Sequence, residues 1–380
     1  MKILTILYYY YPYVSGISEY AKRLSEALVK KGHEVTVLTS LHDSKLSPKE
    51  HINGVEVIRC APLFKCGKGP VMPTFVLKSR SMAHKYDVIN IHLPLFEAPV
   101  LLTAPHKTVI TYHCDIKLGG GFLNSVIEKS YYTLARKALR KTRTIVTNTE
   151  DYAADSVILR PHLNKCEFII PPINENTYSR VNAEQFRQKH KLARKKLIGF
   201  VGRIVQEKGI GYMLDSIPLI KEQFKRFKVV LAGDYTQVAG GSSIKSLAKK
   251  IKLYKEDILL LGKVSPTELL EFYSACDVLV LPSIDPTESF GMVQIEAMYC
   301  GTPVVATDLP GVRLPIQLTH MGLIARNRDS TDLAEKIITV LSNKKAYTKS
   351  KNNIVKLFSI EKTVDRYEHV FQTIAFAIKS

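Results

Sequence analysis

Residues 276–308 read CDVLVLPSIDPTESFGMVQIEAMYCGTPVVATD, and their order is strand, polar turn, helix, tight turn, strand. Residues 278–281 are a short apolar run, the pattern of a parallel strand buried on both faces. Residues 282–288 break that run with Pro, Ser, Asp and Thr. Ser289 is placed to cap a helix over about 290–300. Gly301 ends it, and 302–307 returns as a second buried strand. Two carboxylates stand out. Glu288 lies just before the helix, near the positive end of its dipole, where first-turn N–H groups are open to an anion or a hydroxyl. Glu296 sits inside the apolar run MVQIEAM, and a carboxylate there is costly unless protein donors or ligand hydroxyls bond it. The plain alternative is that Glu288 only favours the dipole and Glu296 reaches the surface.

The same strand–turn–helix unit recurs on both sides of this stretch. With 380 residues the chain exceeds the usual limit for one core, so two domains are expected. The first half predicts strands at 2–9, 34–39, 55–60, 87–92, 108–113, 144–148 and 167–170, with its clearest helices at 18–31, 122–141 and 151–159. Pro171-Pro172 stops that series, and the polar, basic segment 174–196 reads as the interdomain linker. The second half restarts with strands at 197–201, 228–232, 258–261, 278–281 and 304–306. Helices at 210–223, 243–252, 266–275, 290–300 and 330–341 intervene, and 361–380 reads as a last helix. This alternation predicts an α/β protein with two open, mostly parallel sheets that bind ligands beyond the C-terminal ends of their strands. The expected domains are 1–173 and 174–360, with the last helix packing back on the first. The loops 119–121 and 234–242, both glycine-rich, read as mobile.

Composition narrows the class. The chain is 46% hydrophobic and 23% charged, an ordinary globular balance that excludes extensive disorder. Its six cysteines, at 60, 66, 114, 166, 276 and 300, form no C-x-x-C pair, so a reduced, intracellular protein without a zinc cluster is expected. No apolar run is long enough to span a bilayer. The tyrosine-dense N-terminus reads as a buried strand and not as a signal peptide. Formal net charge is +19, with 24 Lys and Arg against 15 Asp and Glu in residues 1–180 (+9) and the remaining +10 beyond. Such an excess points to polyanionic partners: phosphorylated ligands, an anionic membrane surface or nucleic acid. No nucleic-acid motif or interleaved aromatic–basic strip accompanies it, so no specific nucleic acid is expected.

Two further stretches of the first half carry candidate chemistry. The turn after the first strand runs through Gly16 into an amphipathic helix, and a glycine there allows close approach of a ligand. Strand 108–113 ends on His113, where chemistry is placed in such sheets; the alternative is a satisfied core histidine. His92 ends the preceding strand. Residues 122–143, FLNSVIEKSYYTLARKALRKTR, repeat Leu123, Ile127, Leu134 and Ala138 at helical spacing, with Lys129, Arg136, Arg140 and Arg143 on another face. A basic amphipathic helix of this kind suits an anionic membrane surface; the alternative is a solvated helix packed on the sheet. In the second half, KLIGFVGRIVQEKG sets Arg203 and Lys208 in a strand-to-helix turn. Arg offers a planar fork and Lys a mobile point charge, so the pair suits a diphosphate.

Taken together, the pieces resemble the large retaining glycosyltransferase family 4, of the GT-B fold with two Rossmann-like βαβ domains facing across a cleft. The most specific match is the E-x7-E motif, Glu288-SFGMVQI-Glu296, followed by EAMYCGTPVVATD; FVGRIVQEKG, LAGD and LGKVSPTELLEFYSACDVLVLPS agree in order and spacing. The resemblance implies transfer of a hexose-type sugar from a nucleoside diphosphate sugar, of UDP or GDP type, to a hydroxyl acceptor, either a glycan or lipid-linked, without a metal or other cofactor. It implies that Arg203 and Lys208 bind the donor diphosphate, Glu296 the ribose hydroxyls and Glu288 the donor sugar. Ser289, Phe290, Gly291, Met292 and Val293 line the donor near it, and Val264 meets the base. Gly16 belongs to the loop that closes over the diphosphate, and His113 faces the donor sugar. A cytoplasmic enzyme, peripheral on the inner membrane face, is the expected setting; the oligomeric state is not implied. Departures are Ser15 in place of a second glycine, Cys114 between His113 and Asp115, and Leu314 in place of a frequent acid. The alternatives are a nucleotide-sugar epimerase of the same architecture and a non-catalytic, basic nucleic-acid-binding protein.

Overall fold

A computed structural model describes residues 1–66, 69–235 and 244–376. The structure divides into two units, residues 1–173 with 360–380 and residues 174–359.

The strands of the first unit are β1 Lys2–Ile6, β2 Glu34–Ser40, β3 Lys49–Ile52, β4 Val55–Cys60, β5 Phe64–Cys66, β6 Gly69–Val71, β7 Val88–Leu93, β8 Thr108–Tyr112, β9 Thr144–Thr147 and β10 Cys166–Phe168. Eight of them form one sheet in the order β10-β9-β8-β7-β1-β2-β4-β3; β5 and β6 make a separate hairpin. Pairing is parallel throughout the large sheet except for β3 on β4. The continuous burial of β7 and β8 explains their unalternating sequences, because both faces are covered. The strand order reverses between β1 and β7, so the loops leaving those strands diverge and leave a crevice at their C-terminal ends. The helix Gly16–Lys30 starts in that loop. Ser15 is its N-cap in a capping box with Ser18, so the Ser15 that departs from the family pattern has a structural task.

The C-terminal helix Ile360–Phe376 joins this first unit. Val364, Tyr367, Val370 and Phe371 enter the same apolar cluster as Ile3, Tyr20, Leu24 and Val109. Its outer edge is pinned to the first helix by Lys31 to Glu368 at 3.2 Å and His33 to Glu368 at 3.0 Å.

The second unit carries β11 Lys196–Val201, β12 Phe227–Ala232, β13 Ile258–Gly262, β14 Val278–Leu281, β15 Val304–Thr307 and β16 Gly322–Ala325, in the all-parallel order β13-β12-β11-β14-β15-β16. Its reversal point lies between β11 and β14. Both stretches singled out for chemistry, 202–209 and 282–291, therefore leave the sheet at this one point. Each unit is a doubly wound, Rossmann-like βαβ domain.

Two expectations need correcting, and a third is untested. Residues 174–195 are not a free linker: Phe186 is fully buried, 5.9 Å from the ring of Phe272, and Arg187 donates to the carbonyl of Ala275. Their polar composition hides a few anchoring apolar side chains. The helix after β14 begins at Met292 and not at Phe290, with Gly291 as N-cap at φ +77°. Ser289 is thus buried in the turn and does not cap the helix. The loop 234–242 lies outside the described residues from 236 onward.

Candidate active site

In the second unit the site is assembled from two loops. Gly202 follows β11, and Arg203 and the short 3-10 turn Gln206–Lys208 come next. The second loop leaves β14 at Pro282 and ends at Gly291. Three contacts fasten one loop to the other. The Ile284 N–H donates to the Glu207 carbonyl at 3.0 Å. Gly209, in the left-handed region at φ +65°, presses against Pro282; a Cβ there would lie 1.8 Å from the Pro282 carbonyl oxygen. Lys208 Nζ forms an ion pair with Glu288, and Ser283 Oγ donates to the same carboxylate oxygen at 3.4 Å. Both charged side chains are mostly buried, 20% and 15% exposed, so the pair is less screened than a surface pair. Arg203 is more open, 40% exposed, and Glu207 lies 3.4 Å from its guanidinium.

Glu288 and Lys208 were read from sequence as a sugar contact and a diphosphate contact. The structure puts them on each other, which fixes both side chains at the sheet's reversal point. The N–H groups of 290–293 lie at the start of the helix Met292–Tyr299. Buried Gln294 holds that start in place, its Nε2 donating to the Phe290 and Val312 carbonyls at 2.8 and 2.9 Å. Glu296 is 4% exposed, and Tyr273 Oη donates to it at 2.8 Å. Tyr273 is a donor that the sequence motif did not disclose. Val264 is half-buried in the turn after β13, at the edge of the sheet.

In the first unit, Gly16 opens the helix Gly16–Lys30, and a Cβ built on it meets nothing within 4 Å. His113 follows β8 and is 5% exposed; its Nε2 lies 2.8 Å from Nδ1 of His92, and Tyr20 from the Gly16 helix stands edge-on at 4.7 Å. Burial lowers the His113 pKa from 6.5 to about 3, and burial with the neighbouring His113 holds His92 well below 6.5. Both rings are neutral at physiological pH. Asp115 is buried under Tyr112 and Ser156, which donate to its Oδ1 at 2.6 and 2.8 Å. These bonds, with the Asp115 N–H donating to Tyr152 Oη at 2.6 Å, tie down the loop after β8.

The buried histidines give a pH prediction. Below about pH 6.5 the unfolded chain takes up protons that the native His92 and His113 refuse, so stability falls as pH drops toward 3. Urea midpoints are expected to fall between about pH 7 and about pH 5, before most carboxylates titrate. The slope should flatten in a His92→Gln/His113→Gln variant, and a flat profile for the unaltered chain would contradict it. His162, also depressed by burial, acts in the same sense.

The basic helix Phe122–Lys141 buries Tyr131, Ala135, Ala138 and Leu139. The expected apolar stripe is therefore shifted: Leu123 is 69% exposed, and Ile127 and Leu134 are only half-buried. Lys129, Arg136 and Arg140 are exposed, with exposed Phe122 and Val126 at helical spacing before them. Among the described residues no helix is long and apolar enough to cross a membrane, and no three His, Cys, Asp or Glu side chains gather as for a metal ion.

Two Rossmann-like domains, the second with a basic turn and an acidic turn joined at one reversal point, are those of a GT-B glycosyltransferase that uses a nucleotide sugar and a hydroxyl acceptor. Residues 14–174 match the model of Glycosyltransferase Family 4 and residues 182–356 that of Glycosyl transferases group 1. The chain belongs to the glycosyltransferases that these two models describe. It is 28% identical to an uncharacterized glycosyltransferase of Methanocaldococcus jannaschii over 90% of each chain. Its fold matches sucrose-phosphate synthase from Thermosynechococcus elongatus with a TM-score of 0.82 and 21% identity over 99% of each chain. It also matches Anabaena HepE in complex with UDP-glucose, with a TM-score of 0.75 and 18% identity over 98% of this chain and 100% of that one.

Proposed function

We propose that the protein transfers a hexose-type sugar from a nucleoside diphosphate sugar, UDP or GDP linked, to a glycan or lipid-linked hydroxyl, with retention at the anomeric carbon. The observation that carries this reading is the joined pair of loops at the reversal point between β11 and β14, one carrying Arg203 and Lys208 and the other Glu288, with Lys208 and Glu288 ion-paired across them. Breaking the sugar–phosphate bond builds negative charge on the diphosphate. Arg203 and Lys208, with the N–H groups of 290–293, form a preorganised cationic lining for it. Glu288 accepts from donor-sugar hydroxyls, and Glu296 from the ribose. Val264 lies toward the base. The second unit is thus the donor domain. The first unit is the acceptor domain, with the Gly16 turn covering the diphosphate and His113 meeting the donor sugar. The acceptor hydroxyl attacks on the face the leaving group departs from; no protein nucleophile is assigned. HepE, crystallised with UDP-glucose on this fold, supports a UDP-type donor.

The test is a thermal-shift screen of UDP- and GDP-linked sugars followed by transfer assays with the best binder. Stabilisation by one nucleotide class is expected, since a ligand that binds only the native state raises its melting point. No shift with any nucleotide sugar, and no transfer, would refute the reading.

The exposed stripe of the helix Phe122–Lys141 supports a membrane-proximal acceptor and an enzyme peripheral on the cytoplasmic membrane face. Apolar Phe122 and Val126 are placed to enter the headgroup boundary, and Lys129, Arg136 and Arg140 to face anionic lipid. Changing these three basic residues to Gln is expected to weaken flotation with anionic vesicles by about tenfold or more. Unchanged flotation would leave the helix a packing element only.

A further inference from the structure

Glu296 lies on the helix Met292–Tyr299, which is buried from Gln294 to Tyr299. A side chain of the neighbouring helix, Pro266–Ala275, holds its carboxylate: Tyr273 Oη donates to Glu296 Oε2 at 2.8 Å. Glu296 is 4% exposed and Tyr273 fully buried. The Tyr273 ring packs beside Phe272, 6.1 Å away, and edge-on to Tyr178 at 6.3 Å. A second bond braces the same two helices. Thr302 follows the Glu296 helix, its N–H donating to the Ala297 carbonyl at 3.0 Å, and its Oγ1 donates to the Tyr273 carbonyl at 2.6 Å. All of these residues belong to the second unit.

What each group can do decides the consequence. The last torsion of a glutamate is soft, so the plane of its carboxylate is set by its partners. A tyrosine packed in a core is stiff, and its buried hydroxyl needs an acceptor. Burial, and then the Glu296 charge, holds the Tyr273 pKa well above 10, so the hydroxyl keeps its proton at physiological pH. An ionised carboxylate has about four acceptor positions, so this bond leaves room for ligand hydroxyls beside any other partner of Glu296. The two neighbouring hydroxyls of a ribose are both served when the carboxylate is held in one plane before they arrive.

We propose that Tyr273 is a positioning residue that fixes the plane of the Glu296 carboxylate, and that this sets the preference of the donor site for a ribonucleotide over its 2′-deoxy form. This rests on the reading that Glu296 accepts from the ribose. Tyr273 stands 23 positions before Glu296 and outside the E-x7-E motif, so the site extends to the core of a second helix.

The experiment is calorimetric titration of the full-length protein with UDP, GDP and their 2′-deoxy forms, in a double-mutant cycle of Tyr273→Phe and Glu296→Gln, with thermal melts beside it. The unaltered protein is expected to bind its preferred ribonucleotide about tenfold or more tighter than the 2′-deoxy form, since a site built for a hydroxyl rejects the analogue that lacks it. Tyr273→Phe removes one oxygen and keeps the ring. It should weaken ribonucleotide binding by on the order of tenfold and reduce the preference to about twofold, with binding of the 2′-deoxy form little changed. In the Glu296→Gln protein the same substitution should cost almost nothing, because no carboxylate is left to hold. A Tyr273→Phe protein that keeps the full preference, or that loses equal affinity in both backgrounds, would overturn the proposal and leave Tyr273 a structural brace. No preference in the unaltered protein, or one that Glu296→Gln leaves intact, would overturn the ribose contact of Glu296 and the proposal with it; a loss of diphosphate binding in Arg203→Ala would then keep the basic turn standing on its own. No binding of either diphosphate would overturn the donor site as a whole.

Discussion

Arg203→Ala is expected to lower kcat for sugar transfer by about 100- to 1000-fold, the usual cost of removing a preorganised charge partner from a transition state. The guanidinium follows Gly202 directly at the reversal point of the second sheet and is 40% exposed, so its loss opens no core. The melting temperature should therefore stay close to that of the unaltered protein. Glu288→Ala is expected to match the loss of turnover for a different reason. It removes the proposed acceptor for donor-sugar hydroxyls and also releases Lys208 from its place. Glu288→Gln separates the two effects, because it keeps hydrogen bonding and removes the charge that holds Lys208. Steady-state transfer kinetics with a parallel thermal melt check these outcomes; normal turnover in both alanine variants would refute the site assignment.

Gly209→Val is expected to be the most damaging single change in the second unit, destabilising it by roughly 3 kcal/mol or more through backbone strain and overpacking together. The position requires φ +65°, and the added Cβ would lie 1.8 Å from the Pro282 carbonyl oxygen and 2.8 Å from Ile284 Cγ2. The nearest atom is backbone on the opposite loop and cannot rotate away. Relief requires the two loops to part, which also separates Lys208 from Glu288. Gly16→Ala is the contrast: its Cβ meets nothing within 4 Å, so the melting point should hold and any change should appear in donor KM. Urea denaturation of both variants distinguishes them, and a Gly209→Val protein as stable as the original would show that the loops are not locked at this point.

How much of this was legible in the sequence depended on which physical signal each element carries. The run 278–281 was read to the residue because a doubly buried strand is apolar at every position. The strands β3 and β16 were missed. β3 is an edge strand of sequence KEHI, half in solvent, and β16 is four residues long and opens on a glycine. The start of the helix at 292 was misplaced because a serine reads as a cap, while Gly291 caps here by its backbone angle, with Leu281 packed too close for a side chain. Arg203, Lys208 and Glu288 were visible as residue types at loop positions. Their pairing was not, because Lys208 and Glu288 stand 80 positions apart and no periodicity between them specifies it. Asn90 and Tyr367 left still less trace, and His92 only its place at the end of a strand. Asn90 and His92 share the otherwise apolar run VINIHL, and Tyr367 stands among charged neighbours on its helix; only the register of β7 on β8, with Asn90 opposite Val109 and His92 opposite Thr111, brings the first two into line with that distant helix.

The placement of the helix Ile360–Phe376 has a consequence for how the protein is made. The second unit is one uninterrupted stretch, so all of it can emerge from the ribosome and fold while the first unit still lacks Val364, Tyr367 and Phe371 from its core. The unit that is translated first is thus the one that is finished last. Until then the groove between the Gly16 helix and the sheet is an apolar surface exposed to solvent, which a nascent chain must keep from aggregating.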